Sequence, residues 1–336
     1  MKPFVKKLLL SIFSLLFFFT IFGTVTYAWF SLHKLNQLSN LSIDLITGEE
    51  FQVSLDGINF YSQISTEDIE RFIGFKASLT DVTSFDGKRF YYGKLKEDEG
   101  LPEANKDYLS FPLFFRTTLK HRHVYLVENV SNDYQYDTVK KGTFVVSKGV
   151  LWKADNTFQN GPDPVYDIVH TGDRLMMYAA DAIRVAIVEE KIDWNSLDDR
   201  NVTDLSRKIF DLSGNEERGY GAPYGGISYF NQKHRIQLTP PEEFPETIYE
   251  VSVFDDDYHR YVPLNRDSEI LEMVQTELTD EKGNPYYYGK IIVNIWLEGW
   301  DADCFNAIYK DSLRIRLEFR AGSPFFQSNQ VINLNS

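Results

Sequence analysis

One segment near the C-terminus restricts the fold more than any other. Ser312-Leu-Arg-Ile-Arg-Leu-Glu-Phe-Arg320 alternates without a break, with Leu313, Ile315, Leu317 and Phe319 on one side and Arg314, Arg316, Glu318 and Arg320 on the other. Successive strand side chains point to opposite faces, so this period of two predicts an antiparallel strand with one buried and one wet face. Residues 290–298 carry Ile291, Val293, Ile295 and Leu297 on one face and Ile292, Asn294 and Trp296 on the other, which predicts a more central strand. Further strands are expected at 73–82, 89–95, 108–119, 122–130, 143–147, 182–189 and 247–254. Turn chemistry at Asp86-Gly87, Lys141-Gly142 and Lys282-Gly283-Asn284-Pro285 separates them. Aromatic residues make up 15% of the chain, and they favour a pleated, half-buried surface.

Many strands, short turns and few helical patterns predict an all-β fold, an antiparallel, jelly-roll-like β-sandwich with a few short helices. The helices are expected at 65–70, where Ser65 and Thr66 precede acids, at 194–212 through Leu197, Val202, Leu205, Ile209 and Phe210, and at 301–309 with Asp301 as its cap. Residues 191–265 differ in composition, with Gly219-Tyr-Gly-Ala-Pro-Tyr-Gly-Gly226, Pro240-Pro241 and Asp255-Asp256-Asp257. They are expected to form a long insertion in the sandwich. Tyr-Tyr-Gly-Lys occurs twice, at 91–94 and 287–290, each time after a glycine-bearing turn, and suggests two similar hairpins.

The N-terminus has a separate character. Lys2, Lys6 and Lys7 precede an apolar stretch from Leu8 to Phe30 that carries no charge. Small residues follow at the positions a signal peptidase reads, so 1–28 is expected to be a hydrophobic helix serving as signal peptide or membrane anchor, with 29–336 as the sandwich. Two outcomes stay open: cleavage between Ala28 and Trp29, or retention in the membrane through residues 1–30, a length sufficient to span it. Three of the 35 basic residues lie in this leader, leaving 32 against 49 acidic ones and a net charge of −17 for the remainder. Nucleic acid is therefore not an expected partner, since it demands basic patches. With Cys304 alone, the chain holds no internal disulfide, and core packing must stabilise it.

Catalytic signatures are absent: the sequence contains no HExxH, no Gly-x-Ser-x-Gly and no GxxxxGK[ST]. No catalytic, cofactor or metal site is expected, although five features bear on that reading. His121 and His123 have the spacing to begin a metal site but read better as a solvated edge. Asp255–Asp257 lacks the spacing of a calcium loop and reads as a solvated turn. Cys304 reads as a buried structural thiol. The 219–226 loop, with Tyr220 and Tyr224, reads as a connector before a stacking surface. Glu298 and Asp301 stand where paired carboxylate catalysts would, yet capping by Asp301 and pairing of Glu298 with a base such as Arg184 need less.

The exit of the leader, Tyr27-Ala28-Trp29-Phe30 after Gly23-Thr24, resembles the SipW-type signal peptides of bacteria. Residues 182–187 and 295–304 also look like stretches of surface proteins that carry such leaders. Those leaders occur on the TasA/camelysin group, secreted β-sandwich proteins of matrix fibres and cell surfaces. The resemblance implies a non-enzymatic, extracytoplasmic protein, secreted or anchored, whose partners are itself or other surface and matrix proteins. It further implies self-assembly in which a freed N-terminal strand adds to a neighbour's sheet. The donor here would be the segment around Leu41, Ile43 and Leu45, which alternate. The alternative is a membrane-anchored domain that binds carbohydrate or peptide.

Overall fold

The structure, a computed structural model, describes residues 13, 15, 40–47, 51–74, 78–93, 100–120, 122–133, 135–138, 141–255, 260–262 and 268–322. The expected leader helix lies outside these residues except for helical Phe13 and Leu15, and so does the Ala28–Trp29 junction. No helix of the described residues is long and apolar enough to cross a membrane.

The fold is all-β, as the alternating segments require. A six-stranded sheet runs β18 (Glu269–Glu272), β7 (His123–Leu126), β21 (Ser312–Gly322), β1 (Asn40–Thr47) and β3 (Gln63–Ile64), with β8 (Phe144–Ser147) beside β7 along the same edge of β21. A nine-stranded sheet is built on β20 (Pro285–Glu298), the longest strand at 14 residues. One edge of β20 takes β19 (Val274–Thr279) and then β13 (Ile183–Glu190), followed outward by β14 (Arg207–Phe210) and β15 (Thr247–Ile248). The other edge takes β6 (Leu109–Thr117) and then β4 (Asp81–Thr83), which lead to β2 (Gln52–Ser54) and β5 (Tyr91–Tyr92). Three two-stranded ribbons complete the described strands: β9 (Val150–Lys153) with β12 (Arg174–Met177), β10 (Phe158–Gln159) with β11 (Ile168–Val169), and β16 (Val253–Asp255) with β17 (Arg260–Val262).

The period-two pattern decides which faces meet. Leu313, Ile315, Leu317 and Phe319 of β21 pack with Leu41, Ile43 and Leu45 of β1 and face Leu109, Phe111, Leu113 and Phe115 of β6 in one core. Ile291, Val293 and Ile295 of β20 complete it from the larger sheet. Phe115 and Phe319 join the two sheets edge to face at 5.4 Å. The larger sheet is also covered on its second face. Trp296 lies fully buried there under Phe90, at 5.3 Å. The Asp86-Gly87 turn docks on the sheet through Gly87, whose carbonyl accepts from Asn294 Nδ2 at 2.7 Å. Gly87 has φ +68°, and a Cβ there would stand 2.5 Å from the Ala186 methyl, so only glycine fits.

Helix α1 (Thr66–Ile73) begins where expected. Ser65 accepts from Asp68 N while the Asp68 carboxylate accepts from Ser65 N, a capping box. The strand expected from residue 73 starts late, because α1 runs to Ile73, Gly74 closes it in the left-handed conformation, and β4 begins only at Asp81. The helix expected over 194–212 does not form. Its candidate face splits: Leu197 and Val202 are exposed, while Ile209 and Phe210 are buried in β14 against β13. Pairing with the open edge of β13 outweighs the local 3.6-residue pattern. Residues 301–309 form turns and a short 3₁₀ segment, Asn306–Ile308, not an α-helix. Within 191–265, β14 and β15 join the larger sheet, and α2 (Gly226–His234) buries Ile227, Tyr229 and Phe230. Both Tyr-Tyr-Gly copies follow hairpin turns, β4–β5 and β19–β20. In each, one aspartate, Asp86 or Asp280, accepts two backbone N–H groups of the turn.

Candidate functional site: a polar cleft above a buried charge network

The donor segment singled out by alternation is seated in its own chain. β1 runs parallel to β21 over eight residue pairs, from Asn40↔Ser312 to Thr47↔Phe319, with Leu41, Ile43 and Leu45 buried. On its other side β3 pairs only with Leu45 and Ile46. The rest of that edge is met by α1, where the Thr66 hydroxyl accepts from Ile43 N at 2.7 Å and donates to Ile43 O at 3.0 Å. One side chain thus occupies both outward main-chain groups of Ile43, at the middle of the edge an added strand would use.

The strongest concentration of charge lies on the second face of the larger sheet. Arg184 sits within the apolar run of β13 and is only 2% exposed. Its Nη2 contacts Asp301 Oδ2 at 2.6 Å and Asp211 Oδ2 at 2.9 Å, and its Nη1 donates to Ile183 O at 3.0 Å. A buried guanidinium needs this compensation, since desolvating it alone would cost several kcal/mol, order of magnitude. The network continues on both sides. Asp211 accepts from Ser213 N and Oγ. Asp301 accepts from Asp303 N, and Asp303 holds Arg218 through Nε at 3.0 Å and Nη2 at 2.7 Å. Burial pushes the Asp301 carboxyl up, with Arg184 pulling it back and Asp303 and Asp211 pushing it further. Glu298 is also raised, chiefly by burial.

Beside the network opens a cleft of about 580 Å³. Val145, Ser147, Ala180 and Ser213 form its buried floor, while Asn132, Gln135, Asp137, Lys148 and Tyr178 are exposed around it. Asp181 and Tyr136 lie between, partly buried. Among the described residues the Asp181 carboxyl has no hydrogen bond or ion pair. Burial first, then the Asp303, Asp211 and Asp311 carboxylates, push it up to about 7, against Arg218.

Several sequence candidates land elsewhere. Glu298 and Asp301 are both 1% exposed and so do not line a rim. Asp301 takes Arg184, whereas Glu298 accepts from Trp296 Nε1 at 3.0 Å and Trp300 N at 3.1 Å. Tyr224 of the 219–226 loop is buried, with its hydroxyl on Glu217 O, and Tyr220 packs between Phe85 and Phe244. Gly225, at φ +60°, lies so close to Ala302 O that a Cβ would be 2.3 Å away, so this loop is a packed cover. Cys304 is buried in the main core. His121, Asp256 and Asp257 lie outside the described residues. His123 does not stand free: its Nδ1 is 2.7 Å from Glu269 Oε1, and Tyr125 donates to the same carboxylate.

Asp181, Asp211 and Arg218 carry no motif and were not singled out from the sequence. One signal pointed to the network: a lone arginine at 184 inside an otherwise apolar strand, which demands counter-charges from elsewhere in the chain. No family model matches this chain, and no curated protein or solved structure does either.

Proposed function

We propose that this is a non-enzymatic β-sandwich protein of the cell surface or extracellular matrix, exported through its N-terminal segment, which associates with its own kind by exchanging β1. The placement of β1 carries the proposal. It is the first described strand of the sandwich, it contributes a row of core side chains, and it holds eight register pairs with β21. A copy of β1 delivered from a neighbouring chain would restore the same hydrogen bonds and fill the same core positions, so exchange costs little once strands are released. Direct addition at the sheet edge is a poorer route, because Thr66 occupies Ile43. The acidic exterior and the leader residues support an exported, self-repelling protein whose association is selective rather than promiscuous.

Locking β1 in place tests this. Ser42 and Arg314 are register partners on the outer face, so cysteines at both positions can be oxidised within one chain. Light scattering is expected to show assembly of the reduced double variant and none of the oxidised one. Assembly that ignores the cross-link, or no assembly of the native chain at any concentration, would remove strand exchange. A second reading, a membrane-anchored domain binding carbohydrate or peptide, is favoured by one observation: a cleft of about 580 Å³, lined largely by polar side chains, opens beside Asp181.

A further inference from the structure

We propose that the cleft beside Asp181 binds an organic cation, an alkylammonium or guanidinium group, held by the Asp181 carboxylate between the rings of Tyr136 and Tyr178. This deepens the ligand-binding reading and rests on it.

The three carboxylates behind Asp181 are already engaged. Asp303 holds Arg218, Asp211 meets Arg184, and Asp311 accepts from the backbone of Gly149, Ala179 and Ser312. Asp181 has no such partner among the described residues, yet it lies within the field of all three, with Arg218 acting against them. Once Asp181 is ionised, the site is therefore short of one positive charge. Asp137 on the rim adds a further acid, while Lys148 is the only basic side chain lining the cleft among the described residues. An anion entering here would meet repulsion from the floor and the rim.

Shape and chemistry agree with this charge. A cleft of about 580 Å³ falls within the ordinary range for small-molecule sites and admits a group the size of an arginine side chain. Tyrosine faces attract cations, and Tyr136 already carries one on its ring, the Arg314 guanidinium at 5.5 Å. The amides of Asn132 and Gln135 stand at the opening, where they can take the polar remainder of a ligand. Since Asp181 is pushed up to about 7, a bound cation must displace its proton below that pH. The charged groups that set this balance are Asp303, Arg218, Asp211 and Asp311 below, and Asp137 and Lys148 above.

The test is calorimetric titration of the full-length chain with L-arginine amide, putrescine, the peptide acetyl-Gly-Arg-Gly-amide, and the neutral sugars glucose and maltose. Saturable binding of a cationic probe is expected, tighter at pH 8 than at pH 6, with proton release at pH 6 revealed by buffers of different ionisation enthalpy. Asp181→Asn should weaken it at least tenfold at pH 8 and abolish the proton release, with its thermal unfolding still cooperative. Tyr178→Ala should weaken binding several-fold without altering the pH dependence. Preference for the peptide over free arginine amide would identify a basic side chain of a partner as the source of the cation, and the reverse a free metabolite. Unchanged binding by Asp181→Asn overturns the proposal. Binding of a sugar without any cation overturns it while the ligand-binding reading stands, and binding of neither class overturns both.

Discussion

At the scale of single residues, Arg184 decides how the second face of the larger sheet holds together. Its guanidinium is shared by Asp211 and Asp301, so Arg184→Ala leaves two buried carboxylates uncompensated. Denaturant unfolding of that variant should show a loss of about 3–5 kcal/mol. Asp181 acts in the opposite sense. Its folded value is raised to about 7, so its favourable contribution is full below its ordinary value near 3.8 and is lost as pH rises towards 7. Asp181→Asn should therefore be more stable than the native chain at pH 8, and that advantage should shrink as pH falls towards 4. The His123–Glu269 pair adds its own pH dependence. Burial pulls His123 down, but pairing with Glu269 outweighs it and the imidazole ends raised, while Glu269 ends lowered. The pair contributes most between the lowered carboxylate and the raised imidazole, and His123→Gln should flatten the fall in melting temperature from pH 6 to pH 8. Little of this was legible in the sequence. Arg184 announced a need for acids, but its partners come from positions 211 and 301, and nothing local at either position marks the contact.

At the scale of elements, β1 and α1 form a unit in which the helix guards the strand. Thr66→Val keeps the shape of the side chain but removes both hydrogen bonds to Ile43, and should cost about 1–3 kcal/mol. It should also make the edge of β1 available, so that association measured by sedimentation becomes stronger as stability falls. Ile43→Ala, at a position 1% exposed, should cost about 2–5 kcal/mol through lost burial and the cavity left behind. Strands with strict alternation, β21 and β6 above all, were readable because one buried face imposes a period that no helix shares. The start of α1 was readable for a similarly local reason, since Ser65 caps it from its own first turn; the reciprocal bond from Asp68 came with the structure. The 194–212 segment misled because Ile209 and Phe210 answer to β13, not to their own neighbours.

At the scale of the whole molecule, the two sheets share one core and the exterior carries a large acidic excess. Self-repulsion of that kind is screened by salt, so the interaction between copies should turn from repulsive towards attractive between 0.01 and about 0.5 M salt, as the second virial coefficient from light scattering would record. The sandwich class followed from strand number and alternation, whereas the pairing order did not. The parallel contact of β1 with β21 joins residues 40–47 to 312–319, and alternation says which face is buried without saying which strand lies alongside. The 14-residue β20 gives this architecture a timetable. Both β20 and β21 lie in the final sixth of the chain, and one is the spine of the larger sheet while the other is central to the smaller. A polypeptide emerging amino-end first can close neither sheet until those strands arrive. Local pairs such as β2 with β6, β9 with β12 and β13 with β14 can form earlier, but only the arrival of β20 and β21 joins them into a sandwich.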